Sequence, residues 1–397
     1  MTTDRSVVFV SGVRTAIGTF GGSLKNHEPT ALAAAVVREA VARANVAPHT
    51  VGSVVMGNVI QTNTRDPYLA RVAAIDGGLP IETPAITVNR LCGSGFQAIV
   101  SAAQQILLGD VDVAVAGGAE CMSQAPYLVP AQRWGQKMGD AKMVDTLLGA
   151  LNDPFGHGHM GITAENIAAK WNIDRTTQDE IAVESHKRAS SAREAGRFDE
   201  QILPLEVKKG RDVVVFDKDE HIRSDVTVES LSGLRPAFKN DGSVTPGNAS
   251  GINDGAAALV LMDAAAADKA ALKPLARLVG YAQAAVEPSE MGIGPVPAVQ
   301  QLLKKTGLSV SDMDVIESNE AFAAQACAVA TDLDFPAAKT NPNGGAIALG
   351  HPVGATGAIL TVKTIYELQR TDGRFGLVTM CIGGGQGIAG ILESVPA

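Results

Sequence analysis

Aromatic residues, cysteines and positive charge are all scarce in this sequence. Phe, Trp and Tyr make up 4% of the 397 residues, whereas apolar residues make up 46%, which predicts an ordered globular protein with small core side chains. The formal net charge is −9 and no run of Lys or Arg stands out, so nothing supports a nucleic-acid-binding surface. No apolar stretch is long and uninterrupted enough to predict a membrane-spanning helix.

The cysteines are too few and too dispersed to predict a disulfide framework. Cys92, Cys121, Cys327 and Cys381 are spread over the chain. The N-terminal residues run directly into an apolar strand pattern and show no signal peptide. We therefore expect free thiols and a cytoplasmic location.

One cysteine lies where a nucleophile is expected. Ala85–Val88 is predicted to be a short buried strand, and Phe96–Leu108 has a helical pattern, with Cys92 and two glycines between them. A cysteine at this point faces unpaired backbone N–H groups and the positive end of the helix dipole, which both favour the thiolate. An isolated cysteine can equally be a small packed hydrophobe, so Cys92 needs support from the rest of the chain.

Strand and helix patterns alternate along the sequence. This alternation predicts an α/β protein with a mixed sheet covered on both faces. Strands are predicted at 7–10, 51–56, 85–88, 111–116, 213–216, 314–317 and 377–380; helices at 29–44, 67–75, 96–108, 297–306 and 358–368; and 256–262 fits either a strand or an apolar helix.

The second half of the chain repeats the order of the first. Cys92 follows Asn58, and His351 follows Asn319, at nearly the same spacing, which suggests a duplicated fold. Between the halves, residues 121–245 are richer in charge and are predicted to form an inserted lobe that covers a site.

Reactive side chains recur in Gly-rich turns of the second half. Asn319, His351 and Cys381 each lie in such a turn. With Cys92 they suit acyl transfer: a thiolate attacks a carbonyl, an imidazole moves protons, and backbone N–H groups receive the oxyanion. His351 could also be a structural imidazole and Cys381 a packed thiol. A zinc site is not predicted, because no CxxC or HxxxH pair is present.

The sequence resembles the thiolase family, the acetyl-CoA acetyltransferases and 3-ketoacyl-CoA thiolases, over essentially its full length. The resemblance is most specific in four segments taken together: Val88–Ile99, Ser318–Phe322, Asn341–Gly357 and Cys381–Gly387. Within the family, the sequence is most similar to bacterial biosynthetic-type β-ketothiolases. The resemblance implies an α/β thiolase fold, with duplicated βαβαβαββ halves in α-β-α-β-α layers. It implies a first half at 1–120 plus 246–272, an inserted CoA-covering loop domain at 121–245, a second half at 273–397, and a homotetramer.

The resemblance also implies roles for individual residues. Cys92 would be the nucleophile, His351 would activate it and donate to the thioester oxygen, and Asn319 would hold a water in that same oxyanion hole. Cys381 would be the second acid/base, and the N–H groups of Cys92 and Gly383 would form a second oxyanion hole. An enolate next to a thioester needs a strong base in a dry site, which a thiolate can supply.

Further positions match those that line the coenzyme A and acyl sites of the family. They are His159, Met160, Gly161, Arg223, Ser230, Ser250, Met291, Ala321 and Phe322. Arg223 alone could be a solvated surface charge. Two departures from the family pattern are Cys121, where Ser is usual, and Pro246, where Ala is common.

The implied activity is reversible condensation of acetyl-CoA with an acyl-CoA, or thiolysis of a 3-ketoacyl-CoA. Coenzyme A thioesters would be substrates, and no cofactor or metal is expected. Condensation would feed polymer or isoprenoid synthesis, and thiolysis would feed fatty-acid breakdown. Two alternatives are a ketoacyl synthase, against which the second cysteine argues, and an acyl-CoA carrier without chemistry.

Overall fold

The computed structural model describes residues 5–395, and its core consists of two halves with matching elements. The first half contains, in chain order, β1 (Val7–Thr15), β2 (Gly18–Thr19), α1 (Pro29–Ala44), β3 (Ser53–Gly57), α2 (Leu69–Asp76), β4 (Ala85–Val88), α3 (Ser94–Leu108) and β5 (Val113–Cys121).

A long insertion follows β5 and is built from short elements. It contains β6 (Tyr127–Leu128), β7 (Val144–Asp145), α4 (Thr146–Leu151), β8 (Asn152–Asp153), β9 (Gly158–His159), α5 (Met160–Lys170), α6 (Arg175–Glu194), β10 (Ile202–Leu203), β11 (Leu205–Lys209), β12 (Asp212–Phe216) and α7 (Val228–Ser232).

The chain then returns to the first half and continues into the second. These elements are β13 (Asn253–Asp263), α8 (Ala264–Lys269), β14 (Ala276–Ala285), α9 (Pro295–Thr306), β15 (Val315–Ser318), α10 (Ala323–Asp332), α11 (Ala346–Leu349), α12 (Thr356–Thr371), β16 (Phe375–Ile382) and β17 (Gln386–Ser394).

Strand order shows the duplication directly. The first half runs β4-β3-β5-β13-β1 and the second runs β15-β16-β17-β14, and the two meet where β1 pairs with β14. In each half a parallel pair is followed by two antiparallel pairs: β3/β5, β5/β13 and β13/β1 correspond to β15/β16, β16/β17 and β17/β14. The counterpart of β4 is a single parallel bridge between Ile316 and Thr340. The predicted duplicated α/β fold is confirmed.

Helices α3 and α12 pack against each other in the core and contact strands of both halves. Glycines allow this approach, because a Cβ on Gly357 would lie 2.2 Å from the Phe96 nitrogen and one on Gly95 would lie 2.8 Å from the Ala358 nitrogen. The stretch Leu91–Leu108 is long and apolar enough to span a membrane, which the sequence analysis overlooked; it is 56% buried here as a core helix with its preceding turn.

Element types were predicted better than element ends. Helix α1 has the predicted bounds, and residues 256–262, left open between strand and helix, belong to β13. The ends predicted for the strands at 7–10 and 111–116 are wrong, because β1 and β5 continue through glycines to Thr15 and Cys121. A Cβ on Gly117 would lie 2.1 Å from the Ala257 carbonyl oxygen, so glycine here permits close strand packing.

Strand β4 is another correction. It was expected to be buried, but it lies at the end of the sheet, and three of its four residues are half-buried while Ile86 is 50% exposed. An edge strand has neighbours on one side only, which leaves its side chains partly accessible.

A buried ion pair fastens the insertion to the core. Arg14 on β1 donates to both carboxylate oxygens of Asp219, at 2.8 and 3.0 Å, and both side chains are fully buried. The guanidinium also lies over the Phe198 ring and donates to Gln201. The pairing satisfies two charges that would otherwise be costly to bury.

Candidate active site

A largely apolar cavity of about 420 Å³ lies between the two halves and the insertion. Its walls bring together ten of the residues predicted for the site, which are distant in sequence. They are Cys92, His159, Met160, Ser250, Met291, Ala321, Phe322, His351, Cys381 and Gly383.

Cys92 is held in a tight turn before α3. Leu91 has a positive φ of 45°, and its N–H donates to the Asn89 side chain at 2.9 Å. The helix begins at Ser94, two residues earlier than predicted, and the Ser94 hydroxyl donates back to the Leu91 carbonyl at 2.7 Å. The turn leaves Cys92 half-buried at the cavity wall.

The Cys92 thiol does not rest as a thiolate, which corrects the expectation from the helix terminus. Burial against apolar groups raises its pKa to about 11. The N–H groups of Gly383 and of Cys92 itself face the sulfur and lower the pKa, but their effect is smaller than that of burial. Cys92 therefore needs a base that removes its proton during attack.

His351 is a suitable base. Burial lowers its pKa to about 4, so the imidazole is neutral near pH 7. Its Nε2 lies 3.5 Å from the Asn319 Nδ2 and its Nδ1 lies 2.6 Å from the Thr356 hydroxyl oxygen. Its backbone N–H donates to the Asn253 side chain at 2.9 Å, so both ring and main chain are held.

Cys381 lies near the end of β16 and is fully buried. Burial, and the nearness of Cys92, raise the pKa of its thiol above the usual range. A thiolate formed here would be a strong base, because little solvent stabilises its charge.

Glu120 ties the first half to the His351 turn. Its carboxylate accepts the N–H groups of Val59 and Ile60, each at 3.0 Å, and that of Gly354 at 2.9 Å. The Asn58 amide donates to it at 3.2 Å. Val59 lines the cavity, so this buried carboxylate fixes one wall relative to the turn that carries His351.

The insertion contributes an aromatic stack to the cavity wall. His159 caps α5 by accepting the Gly161 N–H at 3.0 Å, and its ring lies 4.6 Å from that of Phe238. Phe238 meets Phe322 edge-on at 6.2 Å. This stack connects the insertion to the second half beside the cavity.

Four predicted residues lie outside the cavity wall. Gly161 lies next to Met160 in α5, and its N–H donates to the His159 ring. Asn319 lies behind His351 and contacts its ring. Arg223 is exposed; its guanidinium is 3.3 Å from the His186 Nε2, and its backbone N–H donates to that ring's other nitrogen. Ser230 is exposed and forms a capping box with Thr227 at α7. The proposed coenzyme A contacts of Arg223 and Ser230 stay predictions.

Several wall residues were not predicted from the sequence. They include Val59, Met122, Leu151, His221 and Phe238. Each comes from a loop or a short element without periodicity, so no local signal marks it. Within residues 5–395, no group of three His, Cys, Asp or Glu side chains is arranged to hold a metal ion.

Comparison with known proteins agrees with this arrangement. Residues 7–265 match the family model for the thiolase N-terminal domain, and residues 272–394 match that for the thiolase C-terminal domain. The chain is 63% identical to the beta-ketothiolase BktB of Cupriavidus necator over 98% of this chain and 100% of that protein. It is 49% identical to an acetyl-CoA acetyltransferase of Chromobacterium violaceum, covering 98% and 99% of the two chains.

Solved structures of thiolases superpose closely on this chain. The acetyl-CoA acetyltransferase of Bacillus anthracis superposes with a TM-score of 0.97 at 49% identity, covering all of both chains. Human mitochondrial 3-ketoacyl-CoA thiolase in complex with CoA gives 0.96 at 47% identity, covering 99% of this chain and 98% of that one. Matching family models over both halves, together with these relatives, establish that the chain belongs to the thiolase family.

Proposed function

We propose that this thiolase is a β-ketothiolase that transfers acyl groups between coenzyme A thioesters through an acyl-enzyme on Cys92. It would either condense acetyl-CoA with an acyl-CoA or cleave a 3-ketoacyl-CoA with free coenzyme A. The observation that carries the proposal is the convergence of Cys92, His351 and Cys381, from both halves, on one apolar cavity.

In the first half-reaction, His351 Nε2 takes the proton of Cys92 as the sulfur attacks the thioester carbonyl. The oxyanion is stabilised by the imidazolium that forms and by the water that Asn319 would hold. When the tetrahedral intermediate collapses, the bond to the coenzyme A sulfur breaks. That sulfur takes a proton from Cys381 and leaves as the thiol.

After this step the site holds an acyl-Cys92, an imidazolium on His351 and a thiolate on Cys381. The two opposite charges make the pair neutral overall, which limits the cost of holding them in an apolar cavity. The raised pKa of Cys381 makes its thiolate a base of the strength that an α-proton next to a thioester requires.

In the second half-reaction, Cys381 removes an α-proton from acetyl-CoA, and the carbanion attacks the acyl carbon on Cys92. The N–H groups of Gly383 and Cys92, which face the sulfur in this structure, are placed to receive the oxyanion near that carbon. Collapse of the intermediate releases the 3-ketoacyl-CoA. The Cys92 sulfur regains its proton from His351, so every proton is accounted for.

The binding of coenzyme A would involve the insertion. His159, Met160 and Phe238 lie along the cavity wall, and Arg223 and Ser230 lie on the insertion's exposed surface. Among residues 5–395 no carboxylate pairs with the exposed Arg223 guanidinium, which suits a phosphate group of the coenzyme. The thioesters are substrates, and we propose that no cofactor is needed.

A homotetramer in the cytoplasm is also proposed. The segment that begins the insertion exposes large apolar side chains, with Tyr127 58%, Trp134 88%, Met138 89% and Met143 63% exposed. Apolar patches of this kind mark interfaces between proteins. Light scattering on the purified chain should give a tetramer mass, and a Trp134→Ser/Met138→Ser variant should give smaller species.

The activity is tested by mixing the purified chain with acetoacetyl-CoA and coenzyme A and following loss of the ketoacyl thioester. Turnover should persist after dialysis against EDTA, and initial rates should give the parallel lines of a ping-pong mechanism. Turnover that requires malonyl thioesters would instead indicate a ketoacyl synthase. Binding of CoA esters without turnover would indicate a carrier. A series of longer ketoacyl-CoA substrates would define the chain-length range.

A further inference from the structure

We infer that Thr356 is a positioning residue for the reaction: its hydroxyl accepts the Nδ1–H of His351 and so keeps the lone pair of the neutral imidazole on Nε2. The inference deepens the proposed function, since it concerns how the proposed base is prepared. Thr356 is the first residue of α12 and is buried.

The hydrogen-bond partners of the Thr356 hydroxyl determine which nitrogen of His351 carries the proton. The Thr356 hydroxyl oxygen lies 2.6 Å from the His351 Nδ1 and 3.0 Å from the Pro352 carbonyl oxygen. A carbonyl oxygen only accepts, so the single hydroxyl proton goes to Pro352. The hydroxyl oxygen then has lone pairs left for the imidazole, and Nδ1 must carry the proton between them. In the opposite arrangement, two oxygen lone pairs would face each other across 3.0 Å.

The other ring nitrogen agrees with the assignment. The Asn319 Nδ2, which is a donor, lies 3.5 Å from the His351 Nε2. A donor facing Nε2 favours a lone pair there over a second N–H. The Thr356 contact is much the shorter of the two, 2.6 Å against 3.5 Å, and it carries the assignment, which leaves Nε2 ready to take a proton.

Other threonines on α12 show that the bond to the preceding turn does not itself require a histidine. Thr361 donates to the Gly357 carbonyl and Thr364 to the Leu360 carbonyl, each at 2.8 Å and each four residues back, as Thr356 does to Pro352. Only Thr356 among these three also contacts an imidazole. A variant of Thr364 is thus a control for the loss of such a bond inside the same helix.

The arrangement serves both charge states of His351. When Nε2 takes the Cys92 proton, the imidazolium keeps its Nδ1–H on the Thr356 oxygen, and no hydroxyl has to turn. A hydrogen bond from a charged donor is stronger than one from a neutral donor, so Thr356 stabilises the imidazolium more than the imidazole. Removing the hydroxyl should weaken His351 as a proton acceptor.

The test compares Thr356→Val, which removes the hydroxyl at similar volume, with Thr356→Ser, which keeps it, and with Thr364→Val. Acyl-enzyme formation from acetyl-CoA is followed in single-turnover experiments across pH. Thr356→Val should slow acylation by roughly 10- to 100-fold, as loss of an orienting partner does elsewhere. Its acidic limb should shift to lower pH. Thr356→Ser should restore both values, and Thr364→Val should leave both unchanged.

A second measurement does not depend on activity. The ¹⁵N chemical shifts of the wild-type imidazoles, with His351 assigned by its loss in His351→Asn, report which ring nitrogen carries the proton. A proton on Nδ1 at neutral pH supports the inference, and a proton on Nε2 overturns it. A Thr356→Val enzyme with the wild-type rate and pH profile would also overturn it. A wild-type chain that never forms an acyl-enzyme would refute the proposed function, while the ¹⁵N shifts still decide the tautomer.

Discussion

The turn before α3 in the first half carries Cys92, and the turn before α12 in the second half carries His351. In both, the first helical residue has a hydroxyl that donates back to the turn: Ser94 to Leu91 and Thr356 to Pro352. The two hydroxyl oxygens differ in what their remaining lone pairs contact. Ser94 accepts a backbone N–H, that of Arg90, whereas Thr356 contacts the reactive ring.

The matching strand ends also differ. Strand β5 ends at Cys121, which is buried beside Asp254 and contacts the Leu24 carbonyl, away from the cavity. Strand β16 carries Cys381 into the cavity wall. After β3, Asn58 donates to backbone and to Glu120, whereas Asn319, after β15, faces His351. In the cysteine pair and in the asparagine pair, the first-half residue makes structural contacts and the second-half residue lies at the reactive groups.

The largest expected effect is that of Cys92→Ala. Without the nucleophile, acyl transfer should fall by roughly 10⁴-fold or more. Intact-protein mass spectrometry after incubation with acetyl-CoA should show no added acyl group. Cys327→Ala, on helix α10 of the second half, should acylate normally. Acylation of the Cys92→Ala chain at another residue would contradict the assignment of the nucleophile.

The strand-end cysteines provide the next test. Cys381→Ala should still form the acyl-enzyme, more slowly because the leaving coenzyme A sulfur loses its proton donor. It should lose condensation by roughly 10³-fold, because the base for the α-proton is gone. Cys121→Ala, the matching change in the first half, should condense at close to the wild-type rate. Condensation is measured as acetoacetyl-CoA formed from acetyl-CoA. If the two variants lost activity equally, the division of roles between the strand ends would be wrong.

The asparagine pair should separate activity from stability. Asn319→Ala should lower kcat by roughly 10- to 100-fold, the size of effect seen for single oxyanion-hole groups and orienting partners. Asn58→Ala should mainly lower the free energy of unfolding, by about 1–3 kcal/mol, since it leaves buried acceptors unpaired. Steady-state rates and thermal midpoints measured on both variants test this division, which fails if both variants change the same quantity.

The smallest effect is a pH dependence of stability that His351 gives to the second half. His351 has a folded pKa of about 4, below the roughly 6.5 of an unfolded histidine. The unfolded state therefore binds more protons between these values, and stability falls as pH decreases through them. At pH 5 this one group should cost about 2 kcal/mol relative to pH 7. Urea midpoints at both pH values should differ less in His351→Gln than in wild type.

Sequence patterns predicted the repeated order of elements well, because periodicity and turn residues record local structure. Helix α1 is an example, with both ends as predicted. They failed where tertiary packing decides. Gly117 reads as a strand terminator but lies inside β5, where close strand packing requires it.

The site shows the same limit. The motifs around Cys92, His351 and Cys381 indicated the reactive groups, but the ionisation of Cys92 depends on burial by residues from distant segments. Thr356 lies within one of the motifs, yet only the fold of the turn brings its hydroxyl to the His351 ring. The wall residues of the insertion, such as Phe238, follow no periodic pattern and become recognisable only in three dimensions.

The glycine contact between α3 and α12 has a consequence for how the enzyme is assembled. Gly95 and Gly357 let two backbones touch just beyond the turns that hold the nucleophile and its base. A single methyl group at Gly357 would wedge these helices apart and separate sulfur from imidazole, even if each half kept its own sheet. Catalytic competence is thus created by the docking of the two halves, and neither half alone holds a complete reaction centre.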